Sequence, residues 1–388
     1  MNQIQQEVLR QRLLRYSAPP TPAAAVHQVL RPALPDDCAA LSALLARHPD
    51  CCLHDTLAAQ LRELVKLEHP ADALSEADYQ RLVAEKLAGQ PADLYGVWVY
   101  YPWRNCCVHL LDEAEFVRVR TVRNAYKISP AEQQWLAGKK VGVVGLSVGQ
   151  SVAVALALER IAGEIRLADF DTLDLSNMNR IRTSVANLGL PKTALVRREI
   201  AEIDPFLRVT TYEEGITPAN VDDFLQGSSG PLDLLVEECD SIAAKVLLRQ
   251  RARHYRLPVL MDTSDRGMLD VERFDLEPDY PILHGLIDGS VTYELLDGLR
   301  SAEEKLPYVF AILGHDTLSG KLKASMAEIG RSITTWPQLG TDVMLGGAIA
   351  ASAARRILLG EAIGSGRHYF DTDPWLLAQT APAGAAAS

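Results

Sequence analysis

The chain has 388 residues, enough for two domains or for one large α/β domain with an additional segment. Hydrophobic residues make up 48% and charged residues 23%, a balance typical of globular proteins with a sizeable core. The formal net charge of −11 argues against nucleic acid or an anionic membrane surface as the main partner.

The cysteine pattern and the apolar runs indicate a reduced, cytoplasmic protein. The six cysteines contain no C-x-x-C spacing, so neither a disulfide framework nor a zinc site is expected. The N-terminal segment is polar and amphipathic, without the apolar core of a signal peptide. The longest apolar run, 343–354, is too short to span a bilayer.

Residues 1–116 form the first predicted region, which is mainly helical and ends in a short β hairpin. Apolar residues recur every three or four positions across 39–45 and 57–65, as in amphipathic helices. Two segments rich in β-branched and aromatic residues follow at 94–103 and 105–111, and their spacing predicts the hairpin. After the region boundary, Ser129-Pro130-Ala131-Glu132 predicts a helix start, since it combines a capping serine, an early proline and a glutamate.

From Lys139 onward, strand patterns and helix patterns alternate. This alternation predicts a doubly wound, Rossmann-like and mostly parallel sheet in the second region, 117–375. The remaining residues, 376–388, are small and are predicted to form a flexible tail. The predicted strands cover 139–145, 164–171, 208–214, 232–238 and 257–264, and the helices 151–163, 191–203 and 242–255.

A glycine-containing loop joins the first of these strands to its helix. Its small residues, Gly145, Ser147 and Gly149, allow the backbone to approach a phosphate or nucleobase. The helix that follows offers free N–H groups and the positive end of its dipole. The loop departs from G-x-G-x-x-G because Ser147 replaces the second glycine, so a tight turn without a ligand remains an alternative.

Charged and amide side chains follow the second strand. Asp169 and Asp171 end that strand, where an acid binds a ribose hydroxyl in doubly wound folds, whether the ligand is NAD or ATP. Asn177, Arg180 and Lys192 come next, and two cations favour a polyphosphate over hydride transfer. The alternative is that Arg180 and Lys192 are solvated surface charges.

The strand 232–238 is followed directly by Cys239, Asp240 and Ser241. An acid at the carboxyl end of a central strand lies where ligands bind in open sheets. Beside phosphates it would hold Mg²⁺, whereas an ordinary strand-end cap is the alternative role for Asp240.

In chain order, these motifs resemble the ThiF/MoeB/ubiquitin-activating superfamily over residues 117–360. The superfamily has D-x-D, S-N-L-x-R-Q, G-x-x-K and D-N-x-x-x-R elements. This chain has D-F-D, S-N-M-N-R, G-L-P-K and C-D-S followed by Lys245. The runs GLSVGQS and EECDS also resemble the ThiF-domain group that is often fused to a nitroreductase-like domain.

The resemblance implies residue roles and a homodimer. Asp169 would bind the ribose, while Asn177, Arg180 and Lys192 would hold the triphosphate and Asp240 the magnesium ion. R-T-V-R-N at 120–124 is similar to an R-Y-x-R-Q element whose second arginine enters the partner subunit's ATP site. Arg123 is therefore the candidate for this trans-acting residue, and a helix-surface charge is its alternative.

Further residues have two open interpretations. Cys239 is either a thioester nucleophile or a buried structural thiol. The family's paired C-x-x-C zinc knuckle is absent, so no zinc is predicted, and no cysteine follows Cys239. The residues Asp265, Arg266, Asp270 and His284 either line the substrate side or form salt bridges in loops.

The predicted function is an ATP-dependent adenylyltransferase. It would activate a carboxylate as an acyl-adenylate and release pyrophosphate, without an obligatory general base because a carboxylate is ionised at pH 7. The candidate substrates are a ubiquitin-like C-terminus, a peptide and a small acid. The alternatives are a nucleotide-binding partner or scaffold without turnover and an NAD-dependent oxidoreductase, the latter disfavoured by the two cations.

Overall fold

The computed structural model describes residues 25–377, together with Gln6 and Arg10. The chain divides into two units, of which the first ends at Val122 and the second begins at Arg123. In the predicted tail, residues 376 and 377 end the last helix, and 378–388 lie outside the described residues. No helix in the described ranges is long and apolar enough to cross a membrane.

The first unit contains a four-stranded sheet in the order β1-β3-β4-β2. Its strands are β1 (Gln28–Leu30), β2 (Cys52–Asp55), β3 (Val97–Tyr101) and β4 (Cys106–Leu110). The helices are α1 (Pro35–Arg47), α2 (Leu57–Glu68), α3 (Glu76–Leu87) and α4 (Glu113–Arg120), with a 3₁₀ turn at Ala92–Leu94. The strands β3 and β4 pair as an antiparallel hairpin, and two strands absent from the prediction, β1 and β2, extend it on either side.

The second unit contains a seven-stranded sheet in the order β11-β10-β9-β8-β5-β6-β7. Its strands are β5 (Lys140–Val144), β6 (Glu164–Ala168), β7 (Arg208–Tyr212), β8 (Leu234–Glu237), β9 (Val259–Thr263), β10 (Met268–Glu272) and β11 (Gly366–Tyr369). The strands β5 to β9 are parallel to one another, whereas β10 pairs antiparallel with β9 and with β11. The predicted doubly wound, mostly parallel sheet is therefore confirmed.

The helices of the second unit pack on both faces of this sheet. They are α5 (Pro130–Leu136), α6 (Gly149–Glu159), α7 (Lys192–Ile203), α8 (Val221–Gln226), α9 (Ile242–His254), α10 (Tyr293–Asp297), α11 (Ala302–Leu313), α12 (Gly320–Met326), α13 (Gly340–Leu358) and α14 (Asp373–Leu377). Five 3₁₀ turns are described as well: Val122–Asn124, Leu175–Asn177, Val185–Asn187, Ile282–Gly285 and His315–Thr317. Successive residues of β5 face opposite cores, because Val143 packs with α6, α7 and α13 and Val144 packs with α8 and α9.

Local sequence signals account for the start of α5 and for the packing of α13. Ser129 and Glu132 form the predicted reciprocal capping box at the start of α5. On α13, a Cβ at position 347 would overlap Ser151 on α6, so Gly347 permits these two helices to approach closely. The glycine and alanine pattern of α13 thus serves helix packing within this chain.

Candidate functional site

The sheet order creates a crevice at the carboxyl ends of β5 and β8. The chain runs from β5 outward to β6 and β7, then returns to β8 on the other side of β5. Ligands of open α/β sheets bind at such a reversal point. Gly145 follows β5 with a φ of +84°, and a Cβ there would lie 2.6 Å from the Glu238 oxygen and the Cys239 nitrogen. Only glycine therefore fits where the loop after β5 meets the end of β8.

Asp169 fixes the shape of the glycine loop. Its Oδ2 accepts a hydrogen bond from the Leu146 N–H at 2.6 Å, and its Oδ1 accepts one from the Asp171 N–H at 2.8 Å. Burial raises the pKa of Asp169, and the Leu146 N–H and the Lys192 ammonium oppose that shift. Each carboxylate oxygen retains a second lone pair, which is the acceptor that a ribose hydroxyl would need.

Lys192 is buried at the start of α7 and forms an ion pair with Asp171. Its Nζ lies 2.7 Å from Asp171 Oδ2, and its backbone N–H donates to the Asp171 carbonyl at 2.9 Å. The alternative of a solvated surface charge is therefore wrong for Lys192. An ammonium group has three donors, so one ion pair leaves donors for a phosphate.

Arg180 links the loop after β6 to the glycine loop. Its Nε donates to Ser147 Oγ at 3.1 Å, and its Nη1 donates to Asn179 Oδ1 at 3.0 Å. Burial lowers the pKa of Arg180, while the nearby Asp240 carboxylate raises it. Arginine stays charged in proteins, so the half-buried guanidinium is a fixed cation between the loop and Asp240.

The two asparagines near Arg180 serve the loop that carries it. Asn177 Oδ1 accepts the Asp174 N–H at 3.0 Å and so closes a 3₁₀ turn. Asn179 Nδ2 donates to the Gln338 carbonyl at 2.7 Å. Asn177 is thus near the predicted phosphate residues in the chain, but its side-chain oxygen is bound within its own turn.

Asp240 is exposed at the end of β8, and Ser241 is the cap of α9. Ser241 Oγ accepts the Ala244 N–H at 3.2 Å. Across residues 25–377, no group of three or more His, Cys, Asp or Glu side chains is arranged to hold a metal ion. A single carboxylate together with nucleotide phosphates is nevertheless a common Mg²⁺ donor set.

Lys245 and Cys239 both bind Glu237 at the base of the crevice. Lys245 Nζ lies 3.1 Å from each Glu237 oxygen, and although burial disfavours its charge, Glu237 raises the pKa of Lys245. The Cys239 thiol lies 2.8 Å from Glu237 Oε1. Burial and Glu237 raise the pKa of Cys239, which disfavours the thiolate that a thioester mechanism requires.

Arg123 lies far from the glycine loop of its own chain. The next residue, Asn124, donates to the Glu159 carbonyl at the carboxyl end of α6, whereas the glycine loop lies at the amino end of that helix. At ~1.5 Å per residue, the 11 residues of α6 separate these ends by roughly 15 Å. Arg123 is therefore not brought together with the other predicted site residues.

Three of the residues with two interpretations contact acidic or basic side chains. Asp270 is buried between His284 Nε2 at 2.9 Å and Arg367 Nε at 2.8 Å. Arg266 Nε lies 2.8 Å from Asp371 Oδ2. Arg266 and Asp270 are thus ion-paired, with Asp270 in strand β10 and not in a loop, and the imidazole of His284 lies against the Asp270 carboxylate.

A cavity of about 190 Å³ opens beside Asp240, and we call it the acidic cavity. A single water needs roughly 10–15 Å³, so the cavity has room for a small organic group. Its carboxylates are Glu238, Asp240, Asp262 and Asp265, and its walls include Val309, Ile312, Leu313, Leu318, Leu322 and Trp336.

Glu238 and Asp262 are the cavity residues that sequence reasoning missed. Glu238 Oε1 accepts the Asp262 N–H at 2.8 Å. Burial raises the pKa of Asp262 to about 7, and Asp342 adds to this shift. Their position at the carboxyl ends of β8 and β9 is the signal that could have identified them, because ligands bind at that edge of the sheet.

The matching family model agrees with this architecture. Residues 120–295 match the ThiF family, so the chain carries a ThiF family domain and the predicted superfamily is confirmed. The resemblance to a nitroreductase-fused group stays a prediction.

Three relatives illustrate the range of similar proteins. An uncharacterized protein of Mycobacterium tuberculosis is 47% identical over 270 residues, which are 70% of this chain and 37% of that protein. A tRNA threonylcarbamoyladenosine dehydratase of Escherichia coli is 32% identical over 139 residues, 35% of this chain and 50% of that protein. A molybdopterin-synthase adenylyltransferase of Haemophilus influenzae is 24% identical over 156 residues, 40% of this chain and 62% of that protein. The chain thus spans between 37% and 62% of the length of these relatives.

Proposed function

We propose that this protein is an ATP-dependent adenylyltransferase that activates a carboxylate as an acyl-adenylate. The observation that carries the proposal is the convergence of Ser147 and Arg180 at the amino end of α6, beside Asp240. A cation, a hydroxyl and a helix amino terminus together match the charge and donors of a polyphosphate. The ThiF family domain and a relative named as an adenylyltransferase support the same reaction.

The residue roles follow from these positions. Asp169 would accept a ribose hydroxyl, and Gly145 and Gly149 would keep the loop packed against β5 and the end of β8, since a Cβ at either position would overlap those residues. Arg180 and Lys192 would bind the phosphates, with Asp171 exchanging part of its ion pair with Lys192 for the new contact. Asn177 would contribute through the turn that it closes, three residues before Arg180.

Asp240 would hold the Mg²⁺ ion that accompanies ATP. Its carboxylate is exposed at the sheet edge where the phosphates would lie. The ion would supply charge neutralisation for the phosphates, and the carboxylate would fix its position.

In the proposed reaction, a carboxylate oxygen of the substrate attacks the α-phosphorus of ATP. The new bond joins that oxygen to the α-phosphorus, and the bond from the α-phosphorus to the bridging oxygen breaks. Pyrophosphate leaves with the electron pair of that bond, and no proton is transferred. The protein would position both reactants, and Arg180 and Lys192 would stabilise the charge that develops on the phosphates.

The proposal includes a homodimer in which Arg123 acts on the partner subunit's nucleotide. Because Arg123 lies near the carboxyl end of α6, it would require a second copy to reach a glycine loop. In a two-fold dimer, both sites would gain this arginine at once.

The test is ATP–pyrophosphate exchange with candidate carboxylates, combined with ATP binding measured by thermal shift. Acid-dependent exchange is the expected result, and a larger stabilisation by NAD than by ATP·Mg²⁺ would overturn the proposal. Incubation with α-labelled ATP and cell extract would then identify the molecule that becomes linked to AMP.

A second candidate is a nucleotide-binding partner without turnover. It is favoured by Lys245, which takes the place of the family's arginine and is bound to Glu237. ATP binding without exchange for any carboxylate would support this candidate.

A further inference from the structure

The acidic cavity is lined by more carboxyl groups than basic side chains. Four carboxylate residues line it, and Lys245 is the one cationic lining residue within the described part of the chain. Because Lys245 is paired with Glu237, its charge is already compensated. A concave site with this imbalance attracts cations.

Asp262 provides a specific carboxyl group within this cavity. It is 5% exposed, and among the described residues neither of its carboxylate oxygens has a hydrogen-bond partner. A Cβ at position 346 would overlap this carboxylate, so it packs directly on the Gly346 backbone of α13. Since α13 covers that side, a donor must come from the cavity, and a buried carboxylate without a donor is costly.

The walls of the cavity determine which cation fits. Ile312, Leu313 and Leu318 present apolar surface, and Trp336 adds an aromatic ring. A magnesium ion keeps several of its waters and prefers several oxygen ligands, which apolar walls do not provide. An organic ammonium with an apolar body matches both the walls and the carboxylate.

We propose that the acidic cavity binds the ammonium group and apolar body of the substrate, with Asp262 as the anion that contacts the ammonium. This inference rests on the proposed function for the role of the cavity as the acyl-substrate site. Asp240 and Asp262 line the same cavity. An amino acid whose ammonium contacts Asp262 would therefore have its carboxylate free to face the nucleotide near Asp240. Among the candidate carboxylates, the substrate class is then an amino acid or a compound with a free amine. A ubiquitin-like tail is excluded as the substrate, because the backbone nitrogen of its C-terminal residue belongs to a neutral peptide amide and carries no charge.

The first experiment measures binding without ATP, by calorimetry at pH 8 on the full chain. The probes are 3-methylbutylammonium and the neutral 3-methylbutan-1-ol, which share an apolar body. We expect the ammonium to bind at least tenfold more weakly to Asp262→Asn and Asp262→Leu, while the alcohol binds all three proteins equally. The two variants test charge loss with different side chains, and circular dichroism verifies that each is folded.

Asp265→Asn is the matched control, since Asp265 also lines the cavity but already accepts the Ser319 N–H at 2.8 Å. Equal losses in the Asp262 and Asp265 variants would overturn the specific role of Asp262. Displacement of the ammonium by Mg²⁺ alone, with tighter binding of the metal, would overturn the ammonium site.

The second experiment compares ATP–pyrophosphate exchange with leucine and with 4-methylpentanoic acid, which lacks the amine. We expect faster exchange with leucine, and a ratio near one in Asp262→Asn. Equal exchange with both acids in the wild type would overturn the cavity proposal and leave adenylation intact. Ammonium binding that depends on Asp262, without exchange for any acid, would instead overturn the proposed function and support the cavity as an amine site.

Discussion

Arg180 donates a hydrogen bond from Nε to Ser147 Oγ at 3.1 Å, although 33 positions separate the two residues in the chain. This contact joins the glycine loop after β5 to the loop after β6, so the amino end of α6 has a cation beside it. The convergence of the two loops gives the crevice its capacity to bind an anion.

Arg180→Ala and Lys192→Ala are each expected to lower ATP–pyrophosphate exchange by about 10²–10³, by analogy with the loss of one charge-stabilising donor. Arg182→Ala is the control, because Arg182 is a nearby arginine whose guanidinium is bound to Glu199. Exchange rates, measured beside the thermal midpoint of each variant, test this expectation. Near wild-type exchange in both site variants would refute the assignment of the phosphate residues.

Gly145→Ala is expected to lower the free energy of unfolding by more than the strain of one unfavourable backbone conformation. Gly145 and Gly189 both have positive φ values, +84° and +82°, so alanine costs roughly 1–2 kcal/mol of conformational strain at each. At position 145 the new Cβ would also lie 2.6 Å from backbone atoms of Glu238 and Cys239, whereas at 189 nothing lies within 4 Å. Urea denaturation should therefore show a free-energy loss larger by about 1–3 kcal/mol for Gly145→Ala. Equal losses would mean that the loop after β5 adapts without strain.

Asp262 is expected to contribute less to the stability of the protein as the pH rises. Burial and Asp342 raise its pKa to about 7, so the folded state keeps its proton at pH values where the unfolded state has lost it. The contribution of Asp262 to the free energy of unfolding should fall between pH 4 and pH 8, and Asp262→Asn should remove this part of the slope. Relative to wild type, the variant should gain roughly 2–4 kcal/mol between these pH values, since each pKa unit corresponds to about 1.4 kcal/mol.

Asp371→Asn is the control for that pH dependence. The hydrogen bond from Arg266 lowers the pKa of Asp371, so this carboxylate stabilises the folded state at neutral pH and not at low pH. Its variant should therefore change the slope in the opposite direction. Urea titrations at four or more pH values would measure both slopes, and parallel slopes for Asp262→Asn and wild type would contradict the raised pKa.

The parallel core of the second unit was predictable because local hydrophobic patterns indicate the order of its strands and helices. The strands β5, β6 and β8 are short runs dominated by apolar residues between turn signals, and the helices between them have a period near 3.6. The glycine loop and the acids after β6 occur at fixed positions relative to these elements. Their side chains accordingly lie at the same edge of the sheet.

The strand β10 and the acidic cavity depend on contacts between distant parts of the chain. The sequence MLDVE in β10 alternates like a strand with one exposed face, yet all five residues are buried. Asp270 and Glu272 are tolerated there because Arg367 and Arg249 approach from β11 and α9. Similarly, segments more than 40 positions after Asp262 supply most of the apolar walls of the cavity, so no local pattern predicts it.

Mixing two inactive variants tests whether Arg123 acts in trans. Arg123→Ala would leave each chain's own phosphate residues intact, and Lys192→Ala would leave its Arg123 intact. In a two-fold dimer that contains one chain of each kind, the site with intact Lys192 would receive the intact Arg123 of the other chain. Random exchange of subunits should therefore restore about a quarter of the wild-type exchange rate, because half of the dimers are mixed and each has one complete site.

Diluting the mixture tests whether the restored exchange requires a dimer. Restored exchange should disappear when the proteins are diluted until the dimer dissociates, which sedimentation or light scattering can follow. Arg120→Ala is the control that replaces Arg123→Ala in the mixture with Lys192→Ala. Arg120 occupies the first arginine position of the same R-T-V-R-N element. If Arg123→Ala alone keeps full exchange, or if mixing restores none while mixed dimers form, Arg123 is a surface charge near the end of α6.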